Sequence, residues 1–354
     1  MVTSVQDIEI TNIHAELTKL WDKEQGENKT RASLFNLIIY VPTGQRIKLF
    51  DSIVDKVVNK FPCRVLMISC DEKSSTDKLS TSVSSHTIGE GKLSIYCEII
   101  RIEVSGKYRE RVPFLVIPNI QSDLPIYLLW TQDPLTDNST FGSLARIANR
   151  VIFDAESTAN LQKYSQKLLD VEKSYCAAVG DLNWSALAPW RKLLAETYND
   201  AQMLNHLRNC SEIKITYNKK ESPLHPHTEI EAAYLQAWLA SRLGWKLKSH
   251  LTYLNDKEKV KITIESTLVD LPPGAIVALE MISKSTGGHL QCKRDPNSVQ
   301  VMAQFSDQEK CHFPVRHVLT GAEEGQEIIN EIFYPASAEH FDHALQMLAN
   351  TKWK

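Results

Sequence analysis

The stretch from Leu34 to Ser69 constrains the fold of this chain more than any other. Leu34 to Val41 is an apolar run of strand length, and Pro42-Thr43-Gly44 is a turn. Phe50, Ile53, Val54, Val57, Val58 and Phe61 then trace one face of an amphipathic helix, and Arg64 to Ser69 (RVLMIS) supplies a second buried run. A strand, helix and strand that share one sheet must run parallel through a right-handed crossover. The opening therefore predicts an α/β fold.

The flanking pattern extends that reading. Ile10, Ile13, Leu17, Leu20 and Trp21 lie on one face of a leading helix, followed by an exposed polar connection from Asp22 to Arg31. Asp71 to Gly91 is rich in Ser, Thr, Lys and Gly without periodicity, which predicts a surface loop. Strands are expected at Leu93–Val104, Pro113–Ile117, Ile126–Trp130 and Arg150–Asp154, with a helix over Ser139–Asn149. Thr158 is placed to cap a helix carrying Leu161, Tyr164 and Leu168. Residues 1–175 thus read as an α/β sandwich domain with a mixed or mostly parallel sheet flanked by helices.

Residues 176–208 read as a helical, Trp-rich connector. Asp181 is a natural cap for a first turn, and Pro189 suits the start of a second helix because proline lacks the N–H that an interior turn needs. Trp184, Leu187, Trp190, Leu194 and Tyr198 recur every three or four residues and form one apolar stripe. Such a stripe is either core or, together with Arg191, the anchor of a protein interface or of the hinge that positions one.

Residues 209–354 read as a smaller α+β domain with antiparallel strands. Alternating segments occur at Ile213–Tyr217, Val260–Ile264 and Val299–Phe305, and a hairpin runs from Ala275–Ile282 across Ser285-Thr286-Gly287-Gly288. One helix opens with the capping box Thr228-Glu229-Ile230-Glu231 and closes at Gly244, and a last helix carries Phe341, Ala344, Leu345 and Leu348.

Composition narrows the function classes. A net charge of -3 with 23% charged residues gives no electrostatic reason for a nucleic-acid or anionic-membrane surface. The seven cysteines are odd in number and scattered, with no C-x-x-C, which argues against a disulfide framework or zinc site and fits a reducing cytoplasm. The N-terminus carries no secretory pattern, and no apolar stretch reaches spanning length.

Few motifs carry chemistry. The turn after the first strand, with Thr43, Gly44 and Arg46, is where α/β proteins hold anions on helix N–H groups, yet it lacks the glycine fingerprints of nucleotide loops. Thr43 reads first as an ordinary helix cap. His225-Pro226-His227, Cys311-His312 and His340/His343 lack further ligands at metal-binding spacing. No Ser or Cys nucleophile signature is present. The residues themselves leave open an α/β nucleotide- or phosphosugar-binding protein, or an enzyme, using Pro42–Arg46.

The run D-L-x-W-x-x-L-x-P-W-R-x-L-L over residues 181–194 resembles the signature of OpcA-type glucose-6-phosphate dehydrogenase assembly proteins. Pro62-Cys63-Arg64-Val65, Leu124-Pro125-Ile126-Tyr127-Leu128-Leu129-Trp130 and Asn149-Arg150-Val151-Ile152-Phe153-Asp154 are similar to further family segments in the same order, with Leu129 standing where the family often has Trp. The resemblance implies a non-catalytic partner that binds glucose-6-phosphate dehydrogenase, favours its active oligomer and needs no cofactor or metal. It is not the dehydrogenase, whose R-I-D-H-Y-L-G-K stretch is missing from this sequence. Asp181, Trp184, Pro189, Trp190 and Arg191 are then the expected contact or hinge residues. Some relatives are thought to respond to redox state through a close cysteine pair; here the nearest spacing is Cys63 to Cys70.

Overall fold

The computed structural model describes residues 2–8, 13–25, 30–44, 46–88, 95–199, 201–256, 258–319, 326–333 and 338–351. Ile10, Gln45, Gly91 and Leu93, which fall in segments given above, lie outside them. The chain divides into two compact units, Met1–Ser157 with Val171–Gly180, and Thr158–Asp170 with Asp181–Lys354. The second unit takes in the tryptophan segment together with the strands that follow it.

In chain order the first unit holds β1 (Val2–Ile8), α1 (Ile13–Gln25), β2 (Thr30–Arg31), β3 (Asn36–Pro42), α2 (Ile47–Lys60), β4 (Arg64–Asp71), β5 (Lys78–Ile88) and β6 (Ile95–Ser105). There follow α3 (Val112–Val116), β7 (Ile126–Trp130), α4 (Ser139–Ala145), β8 (Arg150–Phe153), α5 (Leu161–Tyr175, which begins among the residues of the second unit) and β9 (Ala178–Asp181). The sheet runs β1-β5-β6-β4-β3-β7-β8-β9, with β2 beside β6. Strands β6, β4, β3, β7 and β8 are mutually parallel, while β5 pairs antiparallel with β6 and β1. The run β6-β4-β3-β7-β8-β9 is the 3-2-1-4-5-6 order of doubly wound sheets.

The opening strand, helix and strand form as expected. Leu37, Ile38, Ile39, Val65, Leu66 and Ile68 have no exposed surface, because parallel strands are covered on both faces. Phe50, Val54, Val57 and Val58 of α2 are equally buried, each contributing ~1.5–3 kcal/mol. Two buried polar pairs tie this core together: the Asn36 amide accepts from the Gln121 N–H and donates to the Gln121 carbonyl, both at 2.9 Å. Arg64 meets Glu98 directly across the β4–β6 register, with Nε donating to Oε2 at 2.8 Å.

Three local expectations are corrected. Lys78 to Ile88 is a strand, not loop, because Thr81, Val83, Ser84, Ser85 and His86 are buried and small hydroxyl residues stand where apolar alternation would have revealed it. Val112–Val116 is helical rather than extended, since Pro113 falls in the first turn, where its fixed φ helps. The helix after Thr158 is started by Asn160, whose side chain accepts from the Lys163 N–H at 3.0 Å, while Thr158 accepts only from Asn160.

The second unit holds α6 (Leu182–Ala186), α7 (Ala188–Thr197), α8 (Ala201–Arg208), β10 (Glu212–Asn218), α9 (Ile230–Arg242), β11 (Lys246–Ser249), β12 (Thr252–Leu254), β13 (Lys259–Thr267) and β14 (Ile276–Ser283). It ends with β15 (Gly288–Arg294), β16 (Gln300–Ser306), β17 (Val315–Val318), α10 (Gln326–Phe333) and α11 (Ala338–Ala349). Its sheet is ordered β11-β12-β13-β10-β14-β15-β16-β17. All its pairs are antiparallel save β10 with β13, which run parallel because α9 lies in the connection between them. The antiparallel strands expected here are thus joined by one parallel pair in a mixed sheet. The capping box at Thr228 is not used, as α9 begins after Glu229 without a side-chain cap bond. Gly244 closes the helix at φ +66, a conformation that side chains disfavour. Helix α10 has no counterpart in the sequence reading. Among the described residues no helix is long and apolar enough to cross a membrane.

Candidate functional site

The first unit builds one concave site by topology. From β3 the chain proceeds to β4 and β6 on one side and later to β7 and β8 on the other, so the carboxyl ends of β3 and β7 flank the switch point where α/β sheets open a crevice. A cavity of about 450 Å³ lies there, lined by residues that follow β4, β6 and β7, among them Glu72, Arg109, Gln132 and Asn138, and by Tyr40 of β3.

Hydrogen bonds hold this wall in place. Asn138 Nδ2 donates to Tyr40 Oη at 3.1 Å and to Gln132 Oε1 at 2.7 Å, while its Oδ1 caps α4 by accepting from the Thr140 N–H at 3.0 Å. Tyr40 Oη donates to Glu72 Oε1 at 3.4 Å, and its ring stacks on Trp130 with centroids 4.0 Å apart. Burial pushes the Tyr40 hydroxyl far above its ordinary range and raises the Glu72 carboxyl, against the opposing pull of the Tyr40 hydrogen bond and Arg109. Arg109 is anchored on main-chain carbonyls, with Nε donating to Gly106 at 3.0 Å and Nη1 to Glu72 at 3.1 Å. Glu72, Arg109, Gln132 and Asn138 did not stand out in the sequence. Their shared signal is position: each follows a parallel strand.

The expected anion loop sits on the same sheet edge but is differently equipped. Thr43 and Gly44 are exposed, and a Cβ at Gly44 would meet nothing within 4 Å. Thr43 does not cap α2, whose cap residue Arg46 makes no side-chain cap bond. The Arg46 guanidinium instead pairs with the Asp154 carboxylate at the end of β8 and lies 5.4 Å from the centroid of Phe50. Asp154 thus already supplies the anion that a bound phosphate would bring.

The tryptophan segment lies inside the second unit. Asp181 has no exposed surface; its Oδ1 accepts from the Trp184 N–H at 3.0 Å and its Oδ2 from Tyr164 Oη at 2.6 Å. Leu187 ends α6 and precedes α7, with Pro189 in the first turn of the new helix. Trp184 is 1% and Trp190 3% exposed. The Trp184 ring meets Tyr234 of α9 edge-on at 6.1 Å and Phe341 of α11 at 5.3 Å. The Arg191 guanidinium carbon lies 3.9 Å from the Trp184 ring centroid, and Nη1 donates to the Trp184 carbonyl at 2.6 Å. Burial lowers the Arg191 pKa to about 10, opposed by the charge of Glu331.

Cysteine placement adds a neighbour that spacing hid. With Arg64 opposite Glu98, Cys63 falls opposite Cys97 across β4 and β6, and both thiols are buried and pushed up by burial. Among the described residues no three His, Cys, Asp or Glu side chains gather as a metal site.

Residues 54–170 match the family model described as the glucose-6-phosphate dehydrogenase subunit N-terminal domain, and residues 177–331 match that of the subunit's C-terminal domain. A putative OxPP cycle protein OpcA from Nostoc punctiforme is 28% identical over 215 residues, 59% of this chain and 44% of that protein. Its counterpart from Synechococcus elongatus is 26% identical over 201 residues, 55% of this chain and 42% of that one. These alignments span less than half the length of the curated relatives. A super-repressor mutant of Gal80p from Saccharomyces cerevisiae covers 90% of this chain and 94% of its own at 9% identity, with a TM-score of 0.48, a likeness too slight to carry an argument. With both domain models matched in order along most of its length, the chain belongs to the OpcA family of glucose-6-phosphate dehydrogenase assembly proteins.

Proposed function

We propose that this chain is a non-catalytic, cytoplasmic assembly factor that binds glucose-6-phosphate dehydrogenase and favours its active oligomer, in support of the oxidative pentose phosphate pathway. The observation that carries the proposal is the match of both assembly-family domain models, in order, across residues 54–331. The mechanism is linkage: a protein that binds the assembled enzyme better than its dissociated form draws the equilibrium toward assembly, tenfold for each ~1.4 kcal/mol of preference. It needs no bond-making by the factor.

Asp181, Trp184, Pro189, Trp190 and Arg191 act in this scheme by position rather than by touch. Near-complete burial leaves the indoles little area to offer a partner. Their work is to lock α6 and α7 against α9 and α11, which fixes the surface the second unit presents. The rival reading, a nucleotide or phosphosugar held at Thr43, Gly44 and Arg46, is disfavoured by the Arg46–Asp154 pair, which already neutralises the loop's cation.

The test is to size and assay purified dehydrogenase with and without saturating amounts of this protein. A larger oligomer with raised activity is expected. An enzyme unchanged in size, activity and stability overturns the proposal.

A further inference from the structure

We infer that the cavity at the carboxyl ends of β3, β4, β6 and β7 binds an uncharged small molecule through a vicinal diol, received by the Glu72 carboxylate. This goes beyond the assembly reading and does not depend on it. Four observations converge. The cavity lies at the switch point of a doubly wound sheet, the place where such sheets take ligands. Its volume of about 450 Å³ falls within the ~300–1,000 Å³ of small-molecule sites.

Its wall is polar and already oriented. Tyr40, Gln132, Asn138 and Glu72 form one hydrogen-bonded chain, so little is spent on ordering them when a ligand arrives. An ionised carboxylate only accepts, and its two oxygens suit a pair of neighbouring hydroxyl donors. The charges then select against an anionic ligand. The lining has three carboxylates, Glu72, Glu110 and Asp137, against Lys107 and Arg109. Lys107 Nζ is held 2.6 Å from Asp77, and Arg109 is engaged by two main-chain carbonyls. A phosphate here would meet repulsion without a dedicated cation. A free sugar and the ribose of a nucleoside share the required chemistry, and the measurement separates them.

The full chain is titrated calorimetrically, with no dehydrogenase present, against glucose and adenosine. The diol-less controls are 2,4-dideoxyglucose, whose ring form keeps no two adjacent hydroxyls, and 2′,3′-dideoxyadenosine, and the anionic counterparts are glucose 6-phosphate and AMP. One neutral parent is expected to bind, with its deoxy control and its phosphorylated form each about tenfold weaker or more. Glu72→Gln keeps the shape but offers a donor in place of an acceptor, and is expected to weaken the parent by a similar factor while its melting curve shows a folded protein. Absence of saturation by either parent at millimolar concentration overturns the assignment. So does tighter binding of the phosphorylated forms, or unchanged affinity in the folded Glu72→Gln variant. Failure of the protein to assemble dehydrogenase leaves each of these outcomes as informative as before.

Discussion

Arg191 stacks its guanidinium on the Trp184 indole, 3.9 Å from the ring centroid, and donates to the carbonyl of that same residue. One side chain of α7 thereby ties down both the ring and the backbone of α6, across the break that Leu187 and Pro189 create. The stack needs a flat cation and the hydrogen bond a rigid fork, which Lys does not provide. Arg191→Lys is expected to cost about 1–2 kcal/mol in urea unfolding. Trp184→Ala, which empties a site walled by Tyr234 and Phe341, is expected to cost about 3–5 kcal/mol. A Lys variant as stable as the wild type would falsify this account of the stack.

Asp154 plays the part of an internal anion. Its side chain is 2% exposed and that of its partner Arg46 20%, so removing the carboxylate charge leaves a partly buried cation beside the start of α2. Asp154→Asn is expected to lower stability by about 1–3 kcal/mol. Sulfate or phosphate should then recover more of the melting temperature in the variant than the same salt adds to the wild type. Equal salt responses would show that Arg46 does not look for an anion once released.

What the sequence disclosed and what it hid follow from chemistry at particular residues. Strands β3 and β4 and helix α2 were legible because burial on two faces, or along one stripe, demands apolar residues in fixed periods. Strand β5 was not, since Thr81, Ser84 and Ser85 are buried small hydroxyl residues that look the same in a loop. The parallel pair β10–β13 was hidden because alternation records which face of a strand is covered and says nothing of its direction. The tryptophan segment announced itself through size and spacing. Glu72, Gln132 and Asn138 did not, because a cavity is assembled by topology from residues as far apart in the chain as Glu72 and Gln132.

The cysteines divide by exposure. Cys176 and Cys311 are exposed, whereas Cys63, Cys70, Cys97, Cys210 and Cys292 are buried. Desolvation raises Cys97 to about 11 and Cys210 and Cys292 to about 12, so their nucleophilic thiolate is scarce at neutral pH. A disulfide-exchange reagent should titrate two thiols promptly in the native protein and the other five only on unfolding. Prompt loss of Cys63 and Cys97, followed by mass spectrometry of the labelled peptides, would mean that β4 and β6 open far more readily than their burial implies.

Glu72 gives the sheet edge a pH signature with a definite sign. Burial raises its pKa above the ordinary carboxylate value, so across the interval between the unfolded and folded values the native state binds more protons than the unfolded chain. Its contribution is fully present below the unfolded pKa, near 4.5, and is lost as pH rises through the folded one. Gln imitates the protonated carboxyl at every pH and removes the dependence. Melting temperatures of Glu72→Gln and wild type should therefore nearly coincide in acid and separate as pH rises to neutrality, with the variant the more stable. The sign is the discriminating feature: a carboxylate stabilised by Arg109 as an ion pair would make the variant the weaker protein at neutral pH. Two melting curves that run parallel from acid to neutral would show that the Glu72 carboxyl meets the same environment folded and unfolded, and the wall built from Tyr40, Gln132 and Asn138 would then not confine it.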